Sequence, residues 1–352
     1  MSARGTDWGL AALVACLVAT GALTVFAGGS GDAWVFAAHD ALGVSITLLL
    51  VVKLRRVWSR VITPRRWEWP SVAGLLGLGL VVVALGSGAL WASGATPSLA
   101  GYSLLTWHDA LGALLAAAVL AHTLVRAKPL RRRDAADRRQ FLVAAGALGA
   151  SVLAWRLQRP VAALVGLRGA RRRFTGSYEV ASFEGNAFPT TSWVADAPRP
   201  IDAAQYRLRV DGIVTRPLLL LLGQLPAIDE LVATLDCTGG FYSSQRWRGV
   251  RLGRLIDQAG ALAGAHHVRV VSRTGYRWGF SLADARSLLL ATHVGEEALS
   301  HDHGAPARLV VPNARGFQWV KWVTRIELLE HPDYGAPAST IWSSFTAAGS
   351  GG

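Results

Sequence analysis

The sequence predicts a multi-domain protein with an N-terminal all-α transmembrane four-helix bundle, a fifth transmembrane helix and a C-terminal mixed α+β domain. Of its 352 residues, 51% are hydrophobic and only 17% are charged, which is too apolar for an ordinary soluble protein. The apolar runs are confined to the first half, and short alternating strands follow Phe174. The predicted divisions are a four-helix domain at 1–130, a fifth helix with a basic linker at 131–173, an exterior domain at 174–340 and a tail at 341–352.

Five apolar runs account for the hydrophobic composition. They cover residues 8–27, 36–52, 71–91, 104–125 and 141–157. Each is close to the ~20 residues that an α-helix needs to cross a ~30 Å hydrocarbon core, the second and fifth being the shortest. The runs therefore predict a multi-pass protein of the lipid bilayer.

Basic residues between the runs predict the orientation in the membrane. Lys and Arg concentrate in two segments, between runs two and three and between runs four and five (Lys53, Arg55, Arg56, Arg60, Arg65, Arg66; Arg126, Lys128, Arg131, Arg132, Arg133, Arg138, Arg139). Such loops are cytoplasmic, so the N-terminus is predicted inside and the C-terminal domain outside a cell membrane. The net charge of +13 is thus mainly a topology signal, and nucleic acid is not predicted as a partner.

The sequence contains two cysteines, Cys16 and Cys237, and Cys16 lies inside the first apolar run. No disulfide framework is predicted, although the second half faces an oxidising compartment. Cys237 precedes Thr238 and two glycines at a predicted strand end, where a thiol can meet a metal or cofactor. The alternative is a buried, unpaired cysteine acting as a small apolar side chain.

The five-residue motif HDALG occurs twice, at His39–Gly43 and His108–Gly112. Runs one and two therefore look like a duplicate of runs three and four. Two imidazoles from facing helices, predicted near the outer surface, can ligate one haem iron axially, and the glycines leave room for the macrocycle. We expect a b-type haem between His39 and His108, and the alternative is two interfacial histidines solvated by headgroups.

His122 lies fourteen residues beyond His108, about 21 Å along a helix. The matching position of the first repeat is Lys53, which belongs equally well to the cytoplasmic basic cluster. Three interpretations stay open: the inner site is lost or altered, His122 binds a second haem with an unexpected partner, or His122 reaches the cytoplasmic interface. This block of about 125 residues resembles the cytochrome b561-like membrane b-cytochromes, from whose di-haem pattern Lys53 departs.

A pair of arginines precedes the fifth run. The segment Asp137–Leu142 looks like a twin-arginine export signal placed inside the chain, and ordinary cytoplasmic anchor arginines are the alternative. Twin-arginine export moves folded proteins, so the exterior domain would carry a cofactor inserted in the cytoplasm. The arrangement resembles bacterial, in particular actinobacterial, proteins whose early helices use one translocase and whose last helix uses the other.

The exterior domain is predicted as mixed α+β. Alternating strands are expected at 206–212, 231–235, 267–271 and 308–311, with helical spacing from Val250 to Ala259 before Gly260. Three stretches carry its chemistry: Leu235–Leu252 with Cys237, His301–Pro312, and Gly316–Trp322. Together they resemble the molybdopterin domain of the sulfite oxidase family and its sulfoxide-reductase-like branch, over nearly all of residues 175–335.

That resemblance implies site residues and cofactors. Cys237 becomes the molybdenum ligand and catalytic residue beside one pyranopterin dithiolene, and soft sulfur suits such a centre. Arg308 and Lys321 would neutralise the cofactor phosphate, His303 would hydrogen-bond the pterin, and the backbone of Trp319, Val320 and Lys321 would approach it. Ser177, Tyr178 and Glu179 match an early pterin-binding segment, in which Thr175 replaces the usual Asn. A hydroxyl contact is assigned to Thr274, with Ser272 as the alternative.

The combined prediction is a membrane-anchored molybdopterin-dependent oxidoreductase of oxygen-atom-transfer type. Its cofactors are molybdenum–molybdopterin and haem b, at least one haem, and its partners are a small-molecule substrate and a quinol or another electron donor or acceptor. Arg246 is the first cation after Cys237, so the pattern does not predict a small oxyanion pocket. The rival functions are a haem-binding membrane relay with a non-catalytic exterior module and a non-redox anchored receptor.

Overall fold

A computed structural model describes residues 2–63, 65, 69–126, 129, 138–191 and 198–342. The chain divides into two compact units, Met1–Tyr178 and Glu179–Gly352. The basic cytoplasmic-loop prediction around Arg131–Arg133 and most of the predicted tail fall outside the described residues, as do the side chains of Arg138 and Arg139.

The first unit is built from five long helices. Their bounds are α1 Ala3–Thr24, α2 Ala33–Val61, α3 Trp69–Ser93, α4 Leu104–Arg126 and α5 Arg138–Leu164. A two-residue hairpin, β1 Ser98–Leu99 with β2 Tyr102–Ser103, joins α3 to α4. Among the described residues, four helical stretches are long and apolar enough to cross a membrane: Ala3–Thr24, Ser30–Ser59, Val72–Ser93 and Leu104–Val125. These confirm the first four predicted runs as candidate spans, whereas α5 as a fifth span stays a prediction.

Helices of this unit contact each other through polar side chains within an otherwise apolar surface. Lys53 of α2 forms a 3.0 Å ion pair with Asp7 of α1. Helix α5 contacts α2 through a buried hydrogen bond of 2.9 Å between the hydroxyls of Ser45 and Ser151. Hydrogen bonds between helices replace the hydrophobic driving force that lipid cannot supply, so these contacts specify which helices are neighbours.

The second unit contains two antiparallel-rich sheets. Its strands are β3 Tyr178–Glu179, β4 Arg207–Gly212, β5 Leu218–Leu221, β6 Asp229–Asp236, β7 Phe241–Arg251, β8 His267–Ser272, β9 Arg277–Ser281, β10 Leu289–Val294, β11 Glu297–Ala298, β12 Arg308–Val310 and β13 Val323–Leu329. One sheet runs β11-β10-β7-β3, with β12 also pairing with β10 and β6 with β7; the other runs β5-β4-β13-β8-β9. Strands β4 and β13 pair in parallel. Short helices α6 Leu252–Ala259, α7 Leu282–Ser287 and α8 Ala336–Trp342 complete the unit.

The period-2 pattern of the sequence explains which side of each strand is buried. Along β7 the side chains of Phe241, Ser243, Gln245 and Trp247 are buried in alternation with less buried neighbours. The four predicted strands agree with β4, β6, β8 and β12 to within two residues. Helix α6 ends at Gly260, whose φ of 69° is the left-handed geometry that a glycine adopts without strain.

A ladder of charged side chains crosses the five-stranded sheet. Arg325 donates to Asp211 and to Glu327, at 2.9 and 3.1 Å. Arg269 continues the ladder from Glu327 to Asp333, and Asp333 also accepts from Arg277 at 2.6 Å. Burial acts to raise the pKa of Asp333, but hydrogen bonds and charge interactions with Arg277 and Arg269 outweigh it and leave the pKa below its ordinary value.

We expect Asp333→Asn to lower the free energy of unfolding by about 1–2 kcal/mol at pH 7, because two arginines lose an ionised acceptor. Because the pKa of Asp333 is lower in the folded than in the unfolded state, its ionised form stabilises the fold above the unfolded pKa. This stabilisation is lost as the pH falls through the folded pKa. The difference between variant and wild type should therefore shrink below about pH 4, measured by denaturant unfolding across pH. Asp257→Asn is the control, because Asp257 and its partner Arg286 are 65% and 43% exposed and such pairs contribute little. Equal effects of the two substitutions would contradict the ladder's role.

Candidate active site

Cys237 lies immediately after β6, in the turn that joins β6 to β7. Its amide donates to the carbonyl of Phe241 at 2.8 Å, and its carbonyl accepts from Gly240 at 3.0 Å. Gly240 has a φ of 97°, which only glycine adopts readily, so the turn requires the second glycine of the motif. The strand end predicted for Cys237 is confirmed, and its side chain is buried.

Two groups contact the sulfur. The amide of Gly239 donates to Sγ at 3.3 Å, and Thr191 Oγ1 lies 3.2 Å from it. Donors directed at sulfur stabilise a thiolate, which is the nucleophilic and metal-ligating form of cysteine. This environment differs from the purely apolar surroundings of a structural cysteine.

A buried ion pair holds the turn that contains Cys237. Asp236, which is fully buried, accepts from Arg315 at 2.6 Å, and both side chains are at most 4% exposed. Arg315 also donates to the carbonyl of Cys237 at 3.3 Å. The pair therefore joins the Cys237 turn to the loop that follows β12.

Arg308 is the unusual charge of this region. Its side chain is buried at the start of β12, and it donates a hydrogen bond to the carbonyl of His303 at 3.0 Å. Nε of Arg308 has no hydrogen-bond partner among the described residues. Burial lowers the pKa of Arg308 to about 10, an effect that the charge of Cys237 opposes, so the guanidinium stays cationic at neutral pH. Buried charges are normally paired, so a buried cation with an unused donor is expected to bind an anion.

Two tryptophans flank this guanidinium. The rings of Trp247 and Trp319 lie 5.6 and 5.7 Å from the Arg308 Cζ atom. The indole Nε1 of Trp319 is buried, and it too has no hydrogen-bond partner among the described residues. Two unused donors beside one buried cation fit a group rich in acceptors, such as a phosphate or a pterin.

His303 and Lys321 approach the same loop. In His303, Nε2 lies 2.9 Å from the carbonyl of Phe188 and Nδ1 lies 2.7 Å from Ser300 Oγ, so both ring nitrogens have protein partners. Burial lowers the pKa of His303, as do Arg308 and Lys321, while the bond to Phe188 opposes the shift. The imidazole is therefore neutral at pH 7, and its predicted contact with the pterin stays a prediction.

Lys321 sits at the edge of this cluster. Its ammonium donates to the carbonyls of Thr191 and Asp302, at 2.9 and 2.7 Å. Gly304, at a φ of 110°, allows the close approach, because a Cβ there would lie 3.1 Å from Cβ of Lys321 and 3.2 Å from Cβ of Arg308. The structure thus brings together His303, Arg308 and Lys321, and Trp319 and Val320 are buried beside them.

The remaining predicted cofactor residues lie elsewhere. Thr274 is in the β8–β9 turn, where its hydroxyl donates to Ser272 at 3.1 Å. The amide of the neighbouring Arg273 donates to the Trp322 carbonyl at 2.8 Å. This turn therefore borders the Gly316–Trp322 segment. Ser177 is buried in the helical unit. Tyr178 packs against Trp91 of α3, whereas Glu179 accepts from Tyr242 in the second unit. Their cofactor roles stay predictions.

A second candidate site lies in the helical unit. The rings of His39 and His108 have their centroids 6.2 Å apart, with planes at 81°. The structure therefore brings together the two histidines of the repeated motif. His122 is on α4, two residues before Leu124, and Leu124 and Val125 are largely exposed at the helix end. Its counterpart Lys53 is engaged with Asp7, which favours an altered inner position.

Sequence reasoning missed three groups at the Cys237 site. Thr191 contacts both the sulfur and Lys321, yet it lies 46 residues before Cys237 and belongs to no recognisable motif. Asp236 lies inside the Leu235–Leu252 stretch, and Arg315 directly precedes the Gly316–Trp322 stretch. The available signal was a charged residue directly after an apolar strand run. The pairing of Asp236 with Arg315 depends on a contact 79 residues apart along the chain.

We expect unequal stability effects from the two buried arginine systems in cofactor-free protein. Asp236→Asn should lower the free energy of unfolding by about 3–5 kcal/mol, because it leaves Arg315 as an uncompensated buried charge. Arg308→Met should change it by less than about 1 kcal/mol, because the lost bond to His303 is offset by removing a desolvated cation. Urea unfolding of the full chain in mild detergent measures both. A strongly destabilised Arg308→Met protein would mean that this guanidinium is a structural element.

Comparisons with known proteins agree with this geometry for part of the chain. Residues 195–336 match the family model described as oxidoreductase molybdopterin binding domain. The chain is similar to a protein-methionine-sulfoxide reductase catalytic subunit (MsrP) of Gluconobacter oxydans, at 31% identity over 42% of this chain and 53% of the relative. It is also similar to the sulfite oxidase of Gallus gallus, at 30% identity over 36% of this chain and 35% of the relative. A third relative is the uncharacterised oxidoreductase YuiH of Bacillus subtilis, at 29% identity over 40% of this chain and 74% of the relative.

The chain thus spans about half the length of the first relative and about a third of the second. The family-model match falls on the unit that holds Cys237, Arg308 and Lys321. Together with the buried cation beside a thiol, these comparisons support an oxidoreductase molybdopterin-binding domain in the C-terminal unit.

Proposed function

We propose that this protein is a membrane-anchored molybdopterin-dependent oxidoreductase that performs two-electron oxygen-atom transfer outside the cytoplasmic membrane and exchanges electrons through b-type haem. When bound, the molybdenum cofactor supplies the two-electron redox chemistry at the substrate, and the haem supplies one-electron transfer. The residues of this chain bind, orient and electrostatically balance these groups.

The observation that carries the proposal is the buried Arg308 cation with an unused Nε donor. A desolvated guanidinium costs several kcal/mol unless an anion compensates it. The predicted phosphate of a pyranopterin is such an anion, and planar guanidinium matches phosphate in two hydrogen bonds at once. Lys321, on the adjoining segment, adds a second positive charge.

Cys237 is proposed as the molybdenum ligand. The Gly239 amide donates to Sγ at 3.3 Å and fixes the direction of the sulfur. Thr191, at 3.2 Å, orients the same atom. The Asp236–Arg315 pair keeps the turn rigid, because Arg315 also holds the Cys237 carbonyl.

The paired histidines are proposed to hold the haem. Metal–imidazole bonds of about 2.0–2.1 Å, added to the ~1.1 Å from ring nitrogen to ring centre, put two axial imidazoles about 6.3 Å apart. The 6.2 Å between the centroids of His39 and His108 fits that separation. Headgroup solvation of two separate histidines gives no reason for this spacing.

The predicted topology places these histidines on the exterior side, as it does the C-terminal domain, so electrons need not cross the membrane. A quinol in the bilayer is the proposed donor or acceptor. The twin-arginine pair Arg138 and Arg139 is proposed as the signal that exports the folded, cofactor-loaded domain. A sulfoxide is the first substrate to test, because the Gluconobacter relative is named for methionine sulfoxide reduction.

We expect Cys237→Ser to lose molybdenum-dependent sulfoxide reduction in purified detergent-solubilised protein, because a hard hydroxyl replaces the soft ligand. Metal analysis of wild type should find both molybdenum and haem iron. Cys16→Ser is the control, since Cys16 is the exposed free cysteine of α1. Haem without molybdenum in wild type would favour a relay with a non-catalytic module, and the absence of both would favour a receptor. Full activity of Cys237→Ser would show that Cys237 is not the ligand.

We expect His39→Ala and His108→Ala each to abolish the b-type absorption of the reduced-minus-oxidised spectrum, because each removes one axial ligand. His122→Ala is the matched control on α4. An unchanged spectrum in His122→Ala indicates one haem, and a halved spectrum indicates two. If either outer-site variant keeps the wild-type spectrum, the haem assignment is wrong.

A further inference from the structure

The duplication of the helix pairs extends to a second motif. Thr20-Gly21-Ala22-Leu23 of α1 matches Ser87-Gly88-Ala89-Leu90 of α3. In each repeat this hydroxyl–glycine motif precedes the histidine motif, by 19 residues in the first repeat and 21 in the second. A side-chain hydroxyl followed by glycine is thus repeated on the helices that face the two histidines.

Both hydroxyls contact the same ring atom. Thr20 Oγ1 lies 3.0 Å from His39 Nδ1, and Ser87 Oγ lies 3.1 Å from His108 Nδ1. Each hydroxyl is also within donor distance of a carbonyl in its own helix: Thr20 to Cys16 at 2.8 Å, and Ser87 to Ala84 at 2.8 Å. Because each hydroxyl donates its proton to that carbonyl, its oxygen accepts a hydrogen bond from Nδ1–H of the imidazole.

The backbone identifies the tautomer. The Ala84 carbonyl lies 3.0 Å from His108 Nδ1, and a carbonyl oxygen can only accept, so this Nδ1 carries hydrogen. In the first repeat the Thr20 hydroxyl donates to the carbonyls of Cys16 and Leu17, so its oxygen accepts from His39 Nδ1, which therefore carries hydrogen as well. With Nδ1 protonated in both rings, Nε2 keeps the lone pair that ligates a metal.

The glycines bring the rings close to the neighbouring helices. A Cβ at Gly88 would lie 3.0 Å from Cε1 of His108, which is closer than ordinary contact. At Gly21 the equivalent distance to His39 is 3.5 Å, which is ordinary contact. The second repeat therefore holds its histidine more tightly than the first.

We propose that Thr20 and Ser87 are positioning residues for the histidine pair: they fix Nδ1–H of His39 and His108, direct Nε2 to the iron, and lower its reduction potential by strengthening both ligands. This inference rests on the proposed haem function. Acceptors on the non-ligating nitrogen raise the basicity of the ligating one, which stabilises the oxidised metal. The near-perpendicular ring planes are held by the same contacts.

The experiment is a redox titration of the purified full chain with Thr20→Val and Ser87→Ala. At a fixed potential, each should lower the oxidised-to-reduced haem ratio by about threefold, equivalent to about 30 mV upward at 59 mV per tenfold for one electron. The low-spin EPR signal should change as well, because a ring that loses its acceptor can rotate. Thr20→Ser and Ser87→Thr, which keep the hydroxyl, should retain wild-type values.

Matched controls exist on the same two helices. Thr24 and Ser93 donate to the carbonyls of Gly21 and Leu90, and within the described part of the chain neither hydroxyl forms a hydrogen bond with His39 or His108. Thr24→Val and Ser93→Ala should leave the potential and the EPR signal unchanged. Gly88→Ala should perturb the spectrum more than Gly21→Ala does.

The outcomes separate this inference from the proposed function. Haem in wild type with shifts confined to Thr20→Val and Ser87→Ala supports it, as does haem loss in these two variants that the hydroxyl-retaining substitutions restore. Haem in wild type with no shift, or with equal shifts in the controls, overturns the positioning role and leaves haem binding intact. Absence of haem from wild type overturns both.

Discussion

The buried ion pair between Asp236 and Arg315 is the interaction on which the candidate active site depends. It joins the end of β6 to the loop after β12, and Arg315 holds the carbonyl of Cys237 as well. Two charges removed from water are stable only with good geometry and further hydrogen bonds, and this pair has both. The thiol and the basic cluster around Arg308 are thereby held in one rigid region, although they are distant in sequence.

Arg308 contrasts with Arg315: both guanidiniums are buried, and of the two only Arg315 forms an ion pair with a carboxylate among the described residues. An apolar core would not retain a desolvated cation for stability alone. The unused donors of Arg308 and Trp319 are therefore assigned to the proposed binding chemistry of the site. The same reasoning distinguishes Cys237 from a core cysteine, since a backbone amide and a hydroxyl are directed at its sulfur.

The helical unit follows a different physical rule. Its outward side chains are apolar, so polar contacts between helices specify its arrangement. The contacts of His39 with Thr20 and of His108 with Ser87 are such contacts, and the duplication gives both histidines equivalent surroundings. The two repeats differ at one position, since Lys53 pairs with Asp7 where the second repeat has His122.

Local pattern was enough to predict the long apolar helices, the four strands, helix α6 and the strand-end position of Cys237, because hydrophobic periodicity and glycine placement act over a few residues. The HDALG repeat likewise indicated His39 and His108 as a pair. Only the tertiary structure decided that Asp236 meets Arg315, that Thr191 reaches the sulfur, that Arg308 is buried beside two tryptophans, and that both nitrogens of His303 are taken up within the protein. These contacts join residues that are distant along the chain, and whether a charge is satisfied depends on burial and partners, which sequence periodicity does not encode.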